Sequence, residues 1–261
     1  MSSTYALITG ASKGLGEAMA VELAKRQYNL LLVARSEDAL RALATRLSKE
    51  YNIQASWLAA DLSLPTAPAQ VEAWCKQQQF PISVLVNNAG YAVWGPFLQK
   101  PLEDQLNMLQ LNMQTVVEMC YRILPIMQQQ PKSYLLNVGS TAAYQAVPTL
   151  SGYAASKSFV LTFTRGLRQE LRNKNVSVTC LCPGPVNTNF LDRAGMDAIR
   201  ATAEKFGTPP EPVAKTAISA LFRGKAEVIP GAVNWLSASA TRIVPKALVE
   251  KIAGSLYNKF Y

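Results

Sequence analysis

The sequence predicts an α/β fold: a doubly wound parallel sheet with helices on both faces, in a single domain over residues 1–261. Three observations predict it. Short apolar runs alternate with longer helical patterns along the first two thirds of the chain. The runs are nearly continuous, as is typical of strands that are buried on both faces. A glycine-rich stretch follows the first run, where a strand would turn into a helix.

The predicted elements follow in order along the chain. Strands are predicted at 5–9, 29–34, 53–60, 82–88, 133–140 and 176–183. Helices are predicted at 15–27, 37–51, 66–79, 103–130 and 151–173. Alternation of this kind implies parallel strands joined by right-handed crossovers. Beyond the sixth strand we expect a lid segment at 187–212, a helix at 213–223, a short strand at 227–230 and a C-terminal helix or tail at 245–261.

Composition excludes several classes of protein. The chain has no histidine, so Ser-His-Asp hydrolases, Cys-His proteases and HExxH metalloproteases are impossible. The net charge of +9 is spread along the chain without a block of like charges, so we expect no nucleic-acid partner. The four cysteines form no CxxC pair, and we expect no metal site. Neither a signal peptide nor a membrane-spanning run is visible, which favours a cytoplasmic protein with reduced thiols.

The glycine-rich stretch, TGASKGLG, predicts a phosphate-binding loop. Gly10, Gly14 and Gly16 lie where the first strand turns into a helix. Glycine permits positive φ and a close approach of ligand to backbone. The amino end of a helix offers unpaired N–H groups and a positive dipole end, which suit a pyrophosphate. The alternative is a tight turn without a ligand.

The end of the second strand indicates which dinucleotide binds. An NAD site usually has an acidic residue there for the ribose 2′-hydroxyl. The sequence LLVARS has Arg35 instead, followed by Ser36, and the glycine loop adds Ser12 and Lys13. A guanidinium suits bidentate binding of a phosphate. The sequence therefore predicts NADP(H) rather than NAD(H).

A tyrosine and a lysine lie four residues apart in SGYAASKSF. On a helix this spacing places Tyr153 and Lys157 on one face. An ammonium close to a phenol favours the phenolate and lowers a pKa that is ordinarily about 10. Such a pair could exchange protons near neutral pH without a histidine.

Six features together resemble the short-chain dehydrogenase/reductase family. They are TGASKGLG, NNAG at 87–90, Asn112, Ser140, the YAASK pair and PGPVNT at 183–188, in the family's order over about residues 4–190. The resemblance implies a Rossmann-type sheet and hydride transfer between a nicotinamide and a carbonyl or alcohol. It makes Tyr153 the catalytic acid/base, with Lys157 also on the nicotinamide ribose. Ser140 would bind the substrate oxygen, and Asn112 would hold a water that relays protons to Lys157.

The resemblance also implies the remaining cofactor contacts. They are Leu15 in the glycine loop, Asp61 and Leu62 near the adenine, Asn88, Ala89 and Gly90 in the crevice, and Pro183, Gly184, Val186 and Thr188 at the nicotinamide. Asn87 is expected to serve the central sheet more than the cofactor. Gly139 departs from the family pattern, in which serine is frequent at that position.

Substrate selection should lie in 90–98, 141–150 and the segment 187–212. Their apolar side chains favour an apolar ketone or aldehyde: Tyr91, Val93, Trp94, Phe97, Tyr144, Val147, Phe190 and Met196. The alternative for each is packing in the core or at an interface.

Several functional alternatives stay open at this point. The reaction could run as alcohol oxidation, or the protein could be a non-catalytic NADP-binding regulator of the same fold. The basic, aromatic tail at 245–261 could contact a membrane surface without inserting stably. The resemblance implies a homodimer or homotetramer through the helices at 103–130 and 151–173.

Overall fold

Seven strands form one parallel sheet in the part of the chain that the computed structural model describes, residues 4–188, 207–241 and 243–257. The strands are β1 (Tyr5–Thr9), β2 (Asn29–Ala34), β3 (Ala55–Ala59), β4 (Ile82–Asn87), β5 (Ser133–Val138), β6 (Val176–Leu181) and β7 (Glu227–Val228). Their order is β3-β2-β1-β4-β5-β6-β7. The order reverses between β1 and β4, and such a crevice is where doubly wound sheets bind ligands. The predicted fold class is confirmed.

Nine α-helices connect or follow these strands in the described residues. They are α1 (Gly14–Ala24), α2 (Glu37–Tyr51), α3 (Ala67–Gln77), α4 (Leu102–Leu109), α5 (Thr115–Met127), α6 (Ser151–Glu170), α7 (Pro210–Phe222), α8 (Ala232–Ala240) and α9 (Lys246–Tyr257). Two short 3₁₀ turns lie at Phe97–Gln99 and Thr141–Tyr144. No helix of this part is long and apolar enough to cross a membrane.

The core lies in two layers, one on each side of the sheet. On β1, Ala6 and Ile8 pack toward α1, α2 and α7, whereas Tyr5 and Leu7 pack toward α3, α5 and α6. Successive side chains of a strand point to opposite faces, so covering both faces requires apolar residues at nearly every position. The edge strand β3 differs, because none of its residues is fully buried. Burial on both faces therefore explains why the apolar runs of the inner strands are nearly continuous.

The predicted helix over 103–130 is wrong in one respect. A π-helical segment, Gln110–Gln114, separates α4 from α5. Segments of π-helix are rare and occur frequently at functional sites. Asn112 lies at the centre of this one.

The carboxyl-terminal third differs more from the predicted elements. Helix α8 was not predicted, and the strand predicted at 227–230 has only two residues. The predicted lid at 187–212 ends inside α7, and residues 189–206 lie outside the described residues. A parallel bridge between Val186 and Thr208 joins the two ends of this segment. The described residues on the two sides of 189–206 are therefore neighbours.

Candidate active site

The loop between β1 and α1 has the geometry of a phosphate-binding turn. Gly10 and Gly14 have φ angles of +64° and +62°, a region that favours glycine. A Cβ atom on Gly16 would lie 2.2 Å from the carbonyl oxygen of Gly10, so only glycine fits there. The Lys13 side chain makes no capping hydrogen bond at the start of α1. The positive end of this helix therefore fits an anion such as a pyrophosphate.

Asn88 fixes this loop to the end of β4. Its side-chain amide donates to the carbonyl oxygens of Thr9, at 2.9 Å, and Gly10, at 3.1 Å. In return, the Thr9 hydroxyl accepts the backbone N–H groups of Asn88 and Ala89. The Asn88 side chain thus sets the shape of the glycine loop. Asn87, buried one residue earlier, donates to Asn137 on β5 at 2.9 Å and supports the central sheet.

The carboxyl ends of β2 and β3 form a charged rim beside the loop. The Arg35 guanidinium lies 3.9 Å from the Asp61 carboxylate, and both side chains are solvent-exposed in part. Asp61 also accepts the backbone N–H and the hydroxyl of Ser63. Leu62 differs from its neighbours, because its side chain lies in the core. Ser36 and Lys13 are exposed, so this rim offers cations and a hydroxyl to a phosphate.

The loop after β6 approaches the glycine loop from the other side. The methyl group of Thr188 lies so close to Gly14 that a Cβ atom there would be 3.0 Å away. Pro183 accepts the N–H of Thr141 through its carbonyl at 2.9 Å. Gly184 lies against the side chain of Asn234 on α8. The residues predicted for the two ends of a dinucleotide are thus in one crevice.

Helix α6 carries Tyr153 and Lys157 under this loop. The phenol of Tyr153 is hydrogen-bonded to Ser140, which lies two residues beyond the end of β5. The Lys157 ammonium donates to the carbonyl oxygen of Val138 at 2.9 Å and lies 5.7 Å from the centre of the Tyr153 ring. The three side chains therefore form a group in the crevice; spacing predicted the closeness of Tyr153 and Lys157, and the resemblance implied Ser140 beside them.

Enclosure in the protein shifts the pKa of both titratable groups. Burial raises the pKa of Tyr153 to about 12, and the hydrogen bond with Ser140 opposes this. Burial lowers the pKa of Lys157 to about 8. The pKa of Tyr153 is thus raised, not lowered as expected from the nearby ammonium, because the loss of solvation is the largest effect on the phenol. Tyr153 is therefore a protonated acid at neutral pH.

Asn112, in the π-helical segment, is hydrogen-bonded to Tyr91 in the loop after β4 and to Ser156 on α6. Its amide oxygen accepts the N–H of Tyr91 at 3.2 Å, and its amide nitrogen donates to the Tyr91 carbonyl at 2.9 Å. The same nitrogen lies 3.1 Å from the Ser156 hydroxyl. A Cβ atom on Gly90 would lie 2.8 Å from the Asn112 oxygen and 3.5 Å from the Lys157 nitrogen. Asn112 therefore holds the β4 loop against α6, and its water-relay role stays a prediction.

Contacts with two cysteines explain why glycine stands at position 139. The thiols of Cys180 and Cys182, at the end of β6, lie 3.6 Å apart. A Cβ atom on Gly139 would lie 3.1 Å from the Cys182 sulfur and 3.2 Å from that of Cys180. Glycine at this position therefore makes room for the thiol pair directly before Ser140.

Gly139→Ser is expected to lower the free energy of unfolding by about 1–3 kcal/mol, because the added atoms overpack the thiol pair. Chemical denaturation of Gly139→Ser, Cys182→Ala and the double variant measures the coupling. We expect the loss in free energy of unfolding caused by Gly139→Ser to be at least about 0.5 kcal/mol smaller when Cys182 is alanine. Strictly additive effects would show that the thiols are not the cause.

A cleft opens beside the amino end of α6. Of the predicted substrate residues, Val93 and Phe97 line it. The others that the structure describes pack inside the protein: Tyr91, Trp94, Tyr144 and Val147. Phe190 and Met196 lie outside the described residues. Gly95 and Thr149 also line the cleft and lie inside the predicted segments 90–98 and 141–150. Sequence reasoning missed the lining residues outside those segments, namely Lys100, Gln105, Met108, Ser151 and Gly152.

The model of the family described as short chain dehydrogenase matches residues 4–198. The chain belongs to the short-chain dehydrogenase family. It is 32% identical over 190 residues to a very-long-chain 3-oxoacyl-CoA reductase of Danio rerio, and covers 60% of that protein. It is 33% identical over 205 residues to human 17-beta-hydroxysteroid dehydrogenase type 3, and covers 65% of it. The alignments span 71% and 77% of this chain, so it is similar to only about 60–65% of these relatives' length.

Solved structures of short-chain dehydrogenases are similar over nearly the whole chain. One from Sphingobium yanoikuyae in complex with NADPH is 30% identical with a TM-score of 0.81, and the match covers 92% of this chain and 93% of that one. A bulky-bulky ketone specific alcohol dehydrogenase from Comamonas testosteroni is 26% identical with a TM-score of 0.78, and the match covers 93% of both chains. Membership in this family of oxidoreductases agrees with the group formed by Ser140, Tyr153 and Lys157.

Proposed function

We propose that this short-chain dehydrogenase reduces an apolar ketone or aldehyde with NADPH, reversibly, and that Tyr153 is the proton donor. The observation that carries the proposal is the hydrogen bond between Tyr153 and Ser140 beside the enclosed Lys157 ammonium. When bound, the cofactor supplies hydride to the carbonyl carbon. The chain's own residues must then bind and protonate the carbonyl oxygen.

Each residue of the group has a distinct part in that proton transfer. The Ser140 hydroxyl donates a hydrogen bond to the substrate oxygen and stabilises the charge that develops there. The Tyr153 phenol gives its proton to the same oxygen. The Lys157 ammonium, 5.7 Å from the ring centre, stabilises the phenolate that remains. Asn112 orients the helix turn and the β4 loop around Lys157. Nothing in this arrangement favours the alternative of a non-catalytic regulator, because the acid and its cation are both present and adjacent.

We assign the cofactor to the crevice between the glycine loop, the β4 loop and the loop after β6. The fit rests on the two positive-φ glycines, the uncapped start of α1 and the closeness of Thr188 to Gly14. Arg35, Lys13, Ser12 and Ser36 surround the position expected for a 2′-phosphate. The NADPH bound by the Sphingobium relative agrees with this choice.

Arg35→Asp is expected to raise the dissociation constant of NADPH about 10- to 100-fold, because a charge-assisted hydrogen bond to the phosphate is lost and a repulsion is added. The dissociation constant of NADH, which lacks that phosphate, should change far less. Arg46→Asp is the matched control, since Arg46 is a similarly exposed arginine on α2 that pairs with Glu17. Equal effects of Arg35→Asp on both cofactors, measured by titration calorimetry, would overturn the assignment.

The substrate class follows from the cleft and the relatives. Val93, Phe97 and Met108 supply the apolar part of the cleft lining, which also contains Lys100, Gln105, Thr149 and Ser151 and reaches Gly152, the residue before Tyr153. The relatives' names, a 3-oxoacyl-CoA reductase and a hydroxysteroid dehydrogenase, point to large apolar carbonyl compounds. We therefore propose a ketoacyl chain or a steroid-like ketone as the substrate.

A panel of carbonyl compounds tests the proposal through the loss of NADPH absorbance. It contains a long-chain 3-oxoacyl thioester, a keto-steroid, an aliphatic aldehyde and a polar keto-sugar as the control. We expect a higher kcat/KM for the apolar compounds than for the sugar. A preference for the sugar would contradict the substrate class, and no turnover of any compound in either direction would contradict the enzyme.

The cellular location and the oligomeric state of the enzyme are also proposals. We propose a cytoplasmic enzyme, in keeping with four free cysteines, of which Cys180 and Cys182 stay unlinked at 3.6 Å. Burial raises the pKa of the Cys75 and Cys120 thiols to about 12, which makes them unreactive. We also propose a homodimer or homotetramer, and sedimentation velocity would distinguish these from a monomer.

A further inference from the structure

Helices α8 and α9 and the turn between them expose most of the large apolar side chains that the structure describes there. Val233 is 82% exposed, Trp235 58%, Leu236 65% and Ile243 87%. Leu248 and Ile252 on α9 are about half exposed. We call these six residues the C-terminal apolar face. Scattered apolar residues are ordinary on a protein surface, but a concentration of large ones marks an interaction site.

These two helices bury small side chains and expose large apolar ones, which is the reverse of an ordinary surface helix. An amphipathic helix normally buries its large apolar residues and exposes the small or polar ones. Here Ala238 and Ala253 are buried, each only 3% exposed, whereas the tryptophan and leucines point to solvent. Asn234 anchors α8 by donating to the Pro230 carbonyl at 2.9 Å. The inner contact of α8 is thus made by small and polar groups, and its bulky side chains have no role in the core.

The charge around this face narrows the choice of partner. Lys246 and Lys251 are exposed on α9, and Glu250 is the acidic side chain beside them. In the sequence from 230 onward, Arg242 and Lys259 add two more cations and there is no second acid. The whole chain carries +9. A second copy would bring a face of the same sign, whereas an anionic lipid surface complements it.

We propose that the C-terminal apolar face docks the enzyme on the surface of an anionic phospholipid bilayer. Helices α8 and α9 lie in the interfacial plane, with Trp235 at the level of the headgroups, which tryptophan prefers. Leu236, Val233 and Ile243 enter the acyl boundary, and the lysines contact the lipid phosphates. This docking does not depend on the proposed reaction.

Helix α8, which carries part of the C-terminal apolar face, also contacts two loops of the candidate active site. The inner side of α8 presents Asn234 to Gly184, next to Pro183 in the loop predicted at the nicotinamide. The same helix packs on the 3₁₀ turn Thr141–Tyr144, which directly follows Ser140. An apolar carbonyl compound dissolved in the bilayer would therefore be close to the enzyme that reduces it.

Vesicle co-sedimentation tests the proposal with the full chain. Vesicles contain phosphatidylcholine alone or equal parts of phosphatidylcholine and phosphatidylglycerol. Wild-type protein is expected to sediment with the anionic vesicles, and less so at high salt. Trp235→Glu/Leu236→Glu should weaken binding at least about tenfold, since each side chain loses its burial in lipid. Leu64→Glu is the matched control, because Leu64 is 56% exposed in the loop after β3, away from α8 and α9, and the variant should bind as wild type does.

A second arm separates charge from apolar burial. Lys246→Glu/Lys251→Glu should remove the preference for anionic vesicles. Trp235 is the exposed one of the four tryptophans, so its emission should shift to the blue on binding, and the shift should be absent in Trp235→Phe. Circular dichroism establishes that each variant is folded.

Three results would overturn the proposal. One is the absence of wild-type binding to anionic vesicles, and another is equal binding by wild type and Trp235→Glu/Leu236→Glu. The third is a wild-type oligomer that this double variant dissociates in the absence of any vesicle binding, which would make the face a contact between copies of the chain. None of the three bears on whether the enzyme reduces a carbonyl, so the two proposals can fail separately.

Discussion

Replacing Tyr153 with phenylalanine is expected to lower kcat for carbonyl reduction by about 10²- to 10⁴-fold, the range that general acid catalysis usually contributes. The phenol is the acid within hydrogen-bond reach of Ser140, and its removal leaves the substrate oxygen with only the serine as a donor. The ring itself remains, so the packing around α6 is preserved. NADPH should therefore still bind, with a dissociation constant close to that of wild type.

The measurement compares single-turnover rates at saturating NADPH with the dissociation constant of the cofactor. Tyr134→Phe is the matched control, because it removes a phenol hydroxyl from β5 at a distance from the crevice and keeps the ring that packs edge-on against Phe222. Its rate should equal that of wild type. A Tyr153→Phe variant with wild-type turnover would remove Tyr153 from the mechanism, whatever its binding of NADPH.

The central sheet could be predicted because its pattern is local. In β1, β2, β4, β5 and β6, the apolar runs follow from burial on both faces, and the glycine loop follows from its place between β1 and α1. The pair of Tyr153 and Lys157 could be placed on one helix face by spacing alone. These features depend on neighbours in sequence, so sequence reasoning could find them.

Features that depend on distant contacts could not be predicted. The π-helical segment exists where Asn112 binds both backbone groups of Tyr91, twenty-one residues earlier, and no local pattern shows that contact. Gly139 is explained only by the thiols of Cys180 and Cys182 on the neighbouring strand. Helix α8 lacks an apolar stripe facing the core, so periodicity gave no signal for it. The pKa of Tyr153 depends on how completely the folded chain excludes water from its phenol.

Replacing Lys157 with methionine is expected to stop catalysis and to stabilise the fold. The variant removes the cation that supports the phenolate, so kcat should fall at least about 10²-fold. For wild type, the rate of reduction should decline as pH rises through about 8, because the ammonium then loses its proton while Tyr153, with a pKa of about 12, keeps its own. Lys157→Met should lack this decline.

The stability effect has the opposite sign because the buried charge costs free energy. Lowering the lysine pKa from 10.5 to about 8 corresponds to roughly 3 kcal/mol. Below about pH 8 both the folded and the unfolded chain hold the proton, and the cost is present in full. Between about 8 and 10.5 the unfolded chain binds more protons, so wild-type stability rises with pH, and above 10.5 the cost is gone.

Methionine avoids this cost but loses the charge-assisted hydrogen bond to Val138, worth about 2 kcal/mol. Lys157→Met should therefore be more stable than wild type by about 1 kcal/mol at neutral pH, which corresponds to a melting temperature higher by about 2–4 °C. The difference should shrink toward pH 10.5, and thermal unfolding at both pH values measures it. Lys215→Met, at an exposed lysine on α7, should leave the melting temperature unchanged. A destabilised Lys157→Met would mean that the ammonium holds the fold together, whereas a stabilised and inactive variant would show that the site keeps a costly charge for catalysis.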